Sequence, residues 1–244
     1  LFDDPTVGQL LVQTLRHARG DARRAILASL VSRVTFAEKL VSAVENNHVE
    51  VHDLSASLVR SIHALEDPTL SHRLTNAWGH VQESSLEKKK RMQSLTAMLS
   101  PDPHESLDLV MGRILFKTHC GICHKLYGEG GTLGPDLTGS GRHDLNYLVE
   151  NIIDPSAVVN RDWRLTVLRL IDGRVLSGVV IDENEKTLTV LTQQERAVVL
   201  LDEIEERTLT NQSPMPDGLF EKLSEKQKKN LIAYLRHPTQ VAIP

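Results

Sequence analysis

Only two cysteines occur in the 244 residues, and they stand together as Cys120-Gly121-Ile122-Cys123, followed at once by His124. Two thiols cannot make a disulfide framework, which excludes the disulfide-rich secreted class and leaves the fold to a hydrophobic core. At 40% hydrophobic residues the chain has enough apolar side chains for that core, in one large or two small domains. The C-x-x-C-H spacing itself reads as covalent haem c attachment. Both thiols reach one edge of the ring and add across its two vinyl groups, and the adjacent imidazole of His124 ligates the iron from the proximal side. Two other readings fit less well. A thioredoxin-like pair follows a strand in a βαβ unit, whereas this pair follows a predicted helix. A zinc site wants a second Cys pair, and a His directly after the second Cys is poorly placed as a third ligand.

The residues downstream supply context. Gly130-Gly131-Thr132-Leu133-Gly134-Pro135-Asp136-Leu137-Thr138 is a Gly-rich loop. A proximal imidazole needs a fixed tautomer, which a backbone carbonyl provides by accepting from its free N–H. The loop offers that carbonyl at Pro135 and an apolar contact to the ring at Leu137. The sixth ligand is expected at Met215, held between two prolines in Ser213-Pro214-Met215-Pro216, with His143 as its rival. Met111, Met92 and Met98 read as core residues, and His119 lies on the proximal side. His/Met ligation would raise the potential relative to His/His. Arg142, Arg161 and Trp163 flank the segment and are candidates for the haem propionates, with surface ion pairing as the other reading for the arginines. The remaining histidines, 17, 48, 52, 63, 72, 80, 104 and 237, read as surface or capping residues.

Around this segment the pattern is mostly helical. Over the first hundred residues apolar side chains recur at helical spacing, as in Val7, Leu10, Leu11 and Leu15 or Leu54, Leu58, Ile62 and Leu65. Helix-start signals fall at Asp4-Pro5, Asp21, Thr35, Asp53 and Asp67-Pro68. Short helices with one apolar stripe must stack on neighbours, so an irregular α-solenoid or small bundle is expected. The run Glu87-Lys88-Lys89-Lys90-Arg91 falls on the last of these helices. It reads as a solvated face or as a docking patch for an acidic partner. Ser100-Pro101-Asp102-Pro103 reads as a boundary between domains at 1–103 and 104–244. A helix over about 106–118 runs into the cysteine pair. From Trp163 the period changes to two, with a tight turn at Asp172-Gly173, so residues 164–210 read as an antiparallel β insertion of about four strands. A helix from Ser224 to Leu235 closes the chain before Pro238. The expected fold class is mainly α.

Charge and hydropathy narrow the function classes. With 28 basic and 32 acidic residues the net charge is -4, so bulk electrostatics give no reason to expect nucleic acid or an anionic membrane surface as partner. No apolar run of about 18 residues is present to span a bilayer, and the start shows no signal-peptide pattern. A chain opening on Leu1 is expected to be a fragment or a processed product.

The stretch Cys120 to His124, then Gly134-Pro135-Asp136-Leu137, Asn151-Ile152-Ile153-Asp154-Pro155-Ser156, Met215 and the helix ending Leu231-Ile232-Ala233-Tyr234-Leu235 resembles a class I cytochrome c. More narrowly, it is similar to the haem-binding domain at the C-terminus of large planctomycete and verrucomicrobial membrane-bound dehydrogenase-like proteins, which often carry a β-propeller and HEAT-like helices ahead of it. The resemblance covers about residues 104–244, with the helical region before it fitting the same layout less specifically. It implies one covalent haem c, a location in the periplasm or otherwise outside the cytoplasmic membrane, and a parent chain with a dehydrogenase domain or a separate redox partner. The β insertion, which lengthens the path from His124 to Met215, departs from small cytochromes. The functional expectation is single-electron transfer. The alternatives are a haem enzyme or a gas or peroxide sensor with an open distal site, and a protein-binding scaffold for residues 1–100.

Overall fold

The computed structural model describes residues 4–51, 54–101 and 103–243, apart from the side chains of Ala56 and His80. Leu1, His52, the helix start expected at Asp53, and Asp102 lie outside the described residues, as does the side chain of His80. The chain divides into two compact units, Leu1–Gln82 and Glu83–Pro244. The division falls before the helix that carries the basic run.

The first unit holds helices α1 (Pro5–Leu15), α2 (Gly20–Leu30), α3 (Val34–Glu45), α4 (Ala56–His63) and α5 (Pro68–Trp78), then a short strand β1 (Gly79–Val81). Asp4 and Asp67 cap α1 and α5 by accepting from Thr6 and Leu70 amides, each with Pro at the first helical turn. Helix α3 packs against α1, α2 and α5, and buries Phe36, Leu40, Val41 and Val44 on one stripe. Trp78 is buried, and its indole N–H reaches the carbonyls of Val51 and Leu54 at 3.0 and 3.1 Å.

The second unit opens with α6 (Leu86–Leu99) and α7 (Leu109–His119). A two-residue hairpin, β2 (Lys125–Leu126) and β3 (Glu129–Gly130), precedes α8 (Leu145–Ile153) and a short strand β4 (Val158–Asn160). Strands β5 (Thr166–Leu170), β6 (Val175–Glu183), β7 (Thr187–Leu191), β8 (Arg196–Leu200) and β9 (Ile204–Leu209) follow, and α9 (Glu225–Arg236) ends the unit. Ser224 and Gln227 form a reciprocal capping box at the start of α9. Helices α7 and α9 cross closely at Gly112, where a Cβ would come within 2.7 Å of the Tyr234 Cβ and collide with the Asn230 backbone. Next to that crossing Phe116 and Tyr234 pack with ring centroids 5.8 Å apart. Leu115, Phe116, Leu148, Ile152, Phe220, Leu231 and Tyr234 belong to one core drawn from α7, α8, α9 and the turn before α9.

The expectation of a mainly α fold is corrected here: among the described residues 46% are helical and 17% are in strands, a mixed α and β fold. Five strands, not four, form one antiparallel sheet in the order β8-β7-β6-β5-β9. This sheet is a body with its own core, in which Leu168, Leu170, Leu188, Val190 and Val199 are buried. The last strand returns to pair with the first, as Thr166 opposite Leu209 and Leu168 opposite Arg207. The two ends of the sheet are stitched together. Leu165 N–H donates to the Gln212 carbonyl and Thr210 N–H to the Leu165 carbonyl, both at 2.9 Å. Arg164 Nε adds a bond to the Thr210 carbonyl at 2.8 Å.

Candidate functional site

Helix α7 delivers Cys120 as its C-terminal cap, with the Cys120 N–H donating to the Phe116 carbonyl. The chain then turns on itself. The amides of Cys123 and His124 both donate to the Cys120 carbonyl, at 3.1 and 2.8 Å. The Gly-rich loop is laced onto this turn by three backbone bonds: Gly131 to Gly121, Gly134 to Cys123 and Leu137 to Lys125. Between them lies the β2–β3 hairpin, whose Tyr127 and Gly128 have φ of 52° and 83°, the left-handed pair that a two-residue hairpin turn requires.

This lacing brings His124 and Pro135 together. The imidazole Nδ1 and the Pro135 carbonyl oxygen are 3.0 Å apart. With a carbonyl as partner, Nδ1 carries the proton and the lone pair is on Nε2, the nitrogen then available to a metal. Gly134 lies flat against the same ring: a Cβ there would sit 2.6 Å from Cε1 and 2.8 Å from Nδ1. Burial pulls the imidazole pKa below its ordinary value, with the Pro135 bond acting in the opposite direction. The net shift keeps the ring neutral at neutral pH, the form that ligates metals.

Cys120 and Cys123 are free thiols. Burial, with the neighbouring Cys123, pushes the Cys120 thiol up to about 12, and burial raises Cys123 as well. A thiol–disulfide catalyst needs the reverse, a depressed thiol held as thiolate. Cys120, Leu137 and Met215 all border the core formed by α7, α8 and α9. Met215 N–H donates to Ser213 Oγ at 3.1 Å, and Ser213 N–H to Ser156 Oγ at 3.2 Å, which ties the Pro-Met-Pro segment to the end of α8. These donors fit haem c: a tautomer-fixed imidazole, two protonated thiols on its own turn, and a thioether and an apolar side chain on one shared core.

Arg161 is exposed and pairs with its neighbour Asp162 at 3.5 Å, and Trp163 is half-buried on the same one-turn 3-10 helix before β5. His143 is exposed and bound to the end of α9, its Nδ1 3.1 Å from the Arg236 carbonyl. Arg142 is buried beneath it. Its guanidinium donates to the carbonyls of Leu235 and His237 at 2.6 and 2.5 Å and stacks over the Tyr127 ring at 5.0 Å. It therefore satisfies the open carbonyls at the end of α9, a task that no sequence signal announces. Among the described residues no group of three or more His, Cys, Asp or Glu side chains is placed to hold a bare metal ion. No helix among them is long and apolar enough to cross a membrane. Neither a comparison with known protein families nor one with curated proteins gives a match.

Proposed function

We propose that residues 83–244 form a c-type cytochrome module that carries one covalent haem c and transfers single electrons. The observation that carries the reading is the His124 Nδ1 to Pro135 carbonyl contact at 3.0 Å, with Gly134 against the ring, inside a C-x-x-C-H turn. It is the arrangement a proximal ligand needs, and a surface loop has no use for it. When bound, haem c supplies one-electron exchange between Fe(III) and Fe(II).

Each residue then has a definite task. Cys120 and Cys123 hold the ring by thioether bonds. His124 presents Nε2, with Pro135 and Gly134 setting its angle. Leu137 offers an apolar surface beside it. Met215 is the distal ligand, on a segment stiffened by Pro214 and Pro216. With His124 and Met215 both holding the iron, the group would supply electron transfer rather than bond chemistry. A dehydrogenase domain of a longer parent chain, or a separate redox protein, is the partner, and the module works outside the cytoplasmic membrane, where haem c is attached.

Expression of the full chain in cells equipped for haem c attachment tests this. The expected product is coloured, shows split visible bands on reduction and keeps its haem through acid-acetone extraction. The Cys120→Ala/Cys123→Ala double variant should release it. Met215→Ala should lose the weak far-red Met–iron band and bind carbon monoxide, to which the unsubstituted protein should be indifferent. A colourless product, or haem that extracts freely, would overturn the proposal.

A further inference from the structure

The basic run Lys88-Lys89-Lys90-Arg91 is the strongest sequence feature that a haem site leaves unexplained. Helical phase sorts its members. Lys88 and Arg91 share a face of α6 with Met92, Leu95, Met98 and Leu99, at spacings of three and four. Those four apolar residues pack on the core of the second unit. Lys89 and Lys90 are exposed, and Lys89 pairs with Glu83 at 2.7 Å. Two of the cations thus stand half-buried at the edge of the packing stripe.

Both meet carboxylates on the segment that follows Met215, and Lys88 also meets one at the end of α8. Lys88 Nζ donates to Asp154 Oδ1 at 2.7 Å and lies 3.3 Å from Asp217 Oδ2. Asp154 is buried at the end of α8, with its side chain 5% exposed. Asp217 follows Met215 by two residues. Arg91 Nη1 donates to Glu221 Oε1 at 2.6 Å, on the 3-10 turn Leu219–Lys222 whose Phe220 is buried in the core. The prolines at 214 and 216 restrict the segment's own backbone but tie it to nothing. The Ser213–Ser156 bond ties the start of the segment, and Lys88 ties its far side, joining Asp217 to Asp154 at the end of α8 through one ammonium.

We infer that Lys88, assisted by Arg91, is a positioning residue: α6 acts as a clamp that holds the 213–222 segment, and with it Met215, against the core. This rests on the reading of Met215 as distal ligand. Lys88, Lys89 and Arg91 thus each meet a carboxylate of this chain, and no acidic partner is needed to account for those three. Removing Lys88 leaves Asp154 buried without its cation, which is far more disruptive than losing an exposed pair.

The test uses the full chain with Lys88→Gln, Lys88→Arg and Arg91→Gln. In the haem-free protein, amide hydrogen exchange over 213–222 should run about tenfold faster in Lys88→Gln. Arg91→Gln should accelerate it less, and Lys88→Arg should restore most of the protection. In the haem-loaded protein, Lys88→Gln should weaken the far-red Met–iron band, lower the midpoint potential and admit carbon monoxide. Unchanged exchange in Lys88→Gln overturns the clamp whatever the haem does. Faster exchange with an intact band, potential and indifference to carbon monoxide overturns the link to Met215. A chain that never acquires haem defeats the cytochrome reading, while the haem-free exchange still decides the clamp. If Lys88→Gln does not fold, Asp217→Asn removes the exposed, loop-side acceptor and should give a smaller acceleration confined to the same segment; no acceleration there overturns the clamp.

Discussion

At the scale of single residues, Gly134 is the position on which the candidate site turns. Its missing side chain lets the backbone lie against the His124 ring, where a Cβ would be 2.6 Å from the nearest ring atom. Real Cβ atoms do not come that close, so Gly134→Ala must rotate the imidazole or lift the loop, and either move lengthens the Nδ1 to Pro135 contact. The haem-loaded Gly134→Ala protein should keep its thioether bonds yet show a partly high-spin spectrum, whereas Pro135→Ala, which retains the carbonyl, should stay close to the parent. A low-spin Gly134→Ala spectrum would remove the glycine from the ligand's support. The contact between the Cys-x-x-Cys-His turn and the Gly-Pro-x-Leu loop was legible because it is local: thiols, imidazole and carbonyl lie within sixteen residues. Arg142 was not legible, because its two shortest hydrogen bonds go to carbonyls more than ninety residues onward. A sequence shows an arginine's charge and leaves its acceptor unspecified.

At the scale of elements, the α7–α9 crossing sets where Cys120 is delivered. Alanine is a better helix former than glycine by about 1 kcal/mol, so propensity alone favours Gly112→Ala. The crossing opposes it, because the added methyl meets the Asn230 backbone and Tyr234. Overpacking costs about 1–3 kcal/mol, and here the obstruction is main chain that cannot rotate aside. The expected outcome is a net loss of stability, read as a lower denaturant midpoint, and a gain would mean that the helices can separate freely. The reading of helices succeeded where caps and stripes coincide, as at Asp67-Pro68 and Ser224. It missed strand β9, in which Ile204 is half-buried and Glu205 to Leu209 are exposed. No apolar alternation marks such a strand, and it is recruited by its ladder with β5. That omission, with the treatment of the sheet as an insert, is how a mainly α class was reached. The inward role of Lys88 was written in the phase of α6, but a charge run read only by composition conceals it.

At the scale of the molecule, the chain comprises two compact units, and the first carries a paired carboxylate that makes it sensitive to acid. In the first, Arg73 on α5 donates to Glu45 on α3 at 2.9 Å and also reaches Ser42. Those hydrogen bonds, against some burial, hold the Glu45 carboxyl below its ordinary value of 4.5. A depressed carboxylate contributes stability that is present above its unfolded value and is lost as pH falls through the folded one. Exchange protection of α3 and α5 should therefore decline below about pH 4.5. Glu45→Gln should flatten that decline, lower protection modestly at neutral pH and leave the amides of α7 and α9 unaffected. An unchanged slope would show that another carboxylate governs it. The stitched base of the five-stranded sheet has a consequence for the order in which this chain folds. His124 and Met215 are far apart along the backbone, yet nearly half of the residues between them leave and rejoin at the Leu165, Thr210 and Gln212 contacts. Once the sheet has closed, the ring that remains to be shut is about half as long, a saving of about 0.6 kcal/mol in closure entropy. The sheet is thus best formed first, shortening the search by which the Pro-Met-Pro segment finds the core of α7, α8 and α9.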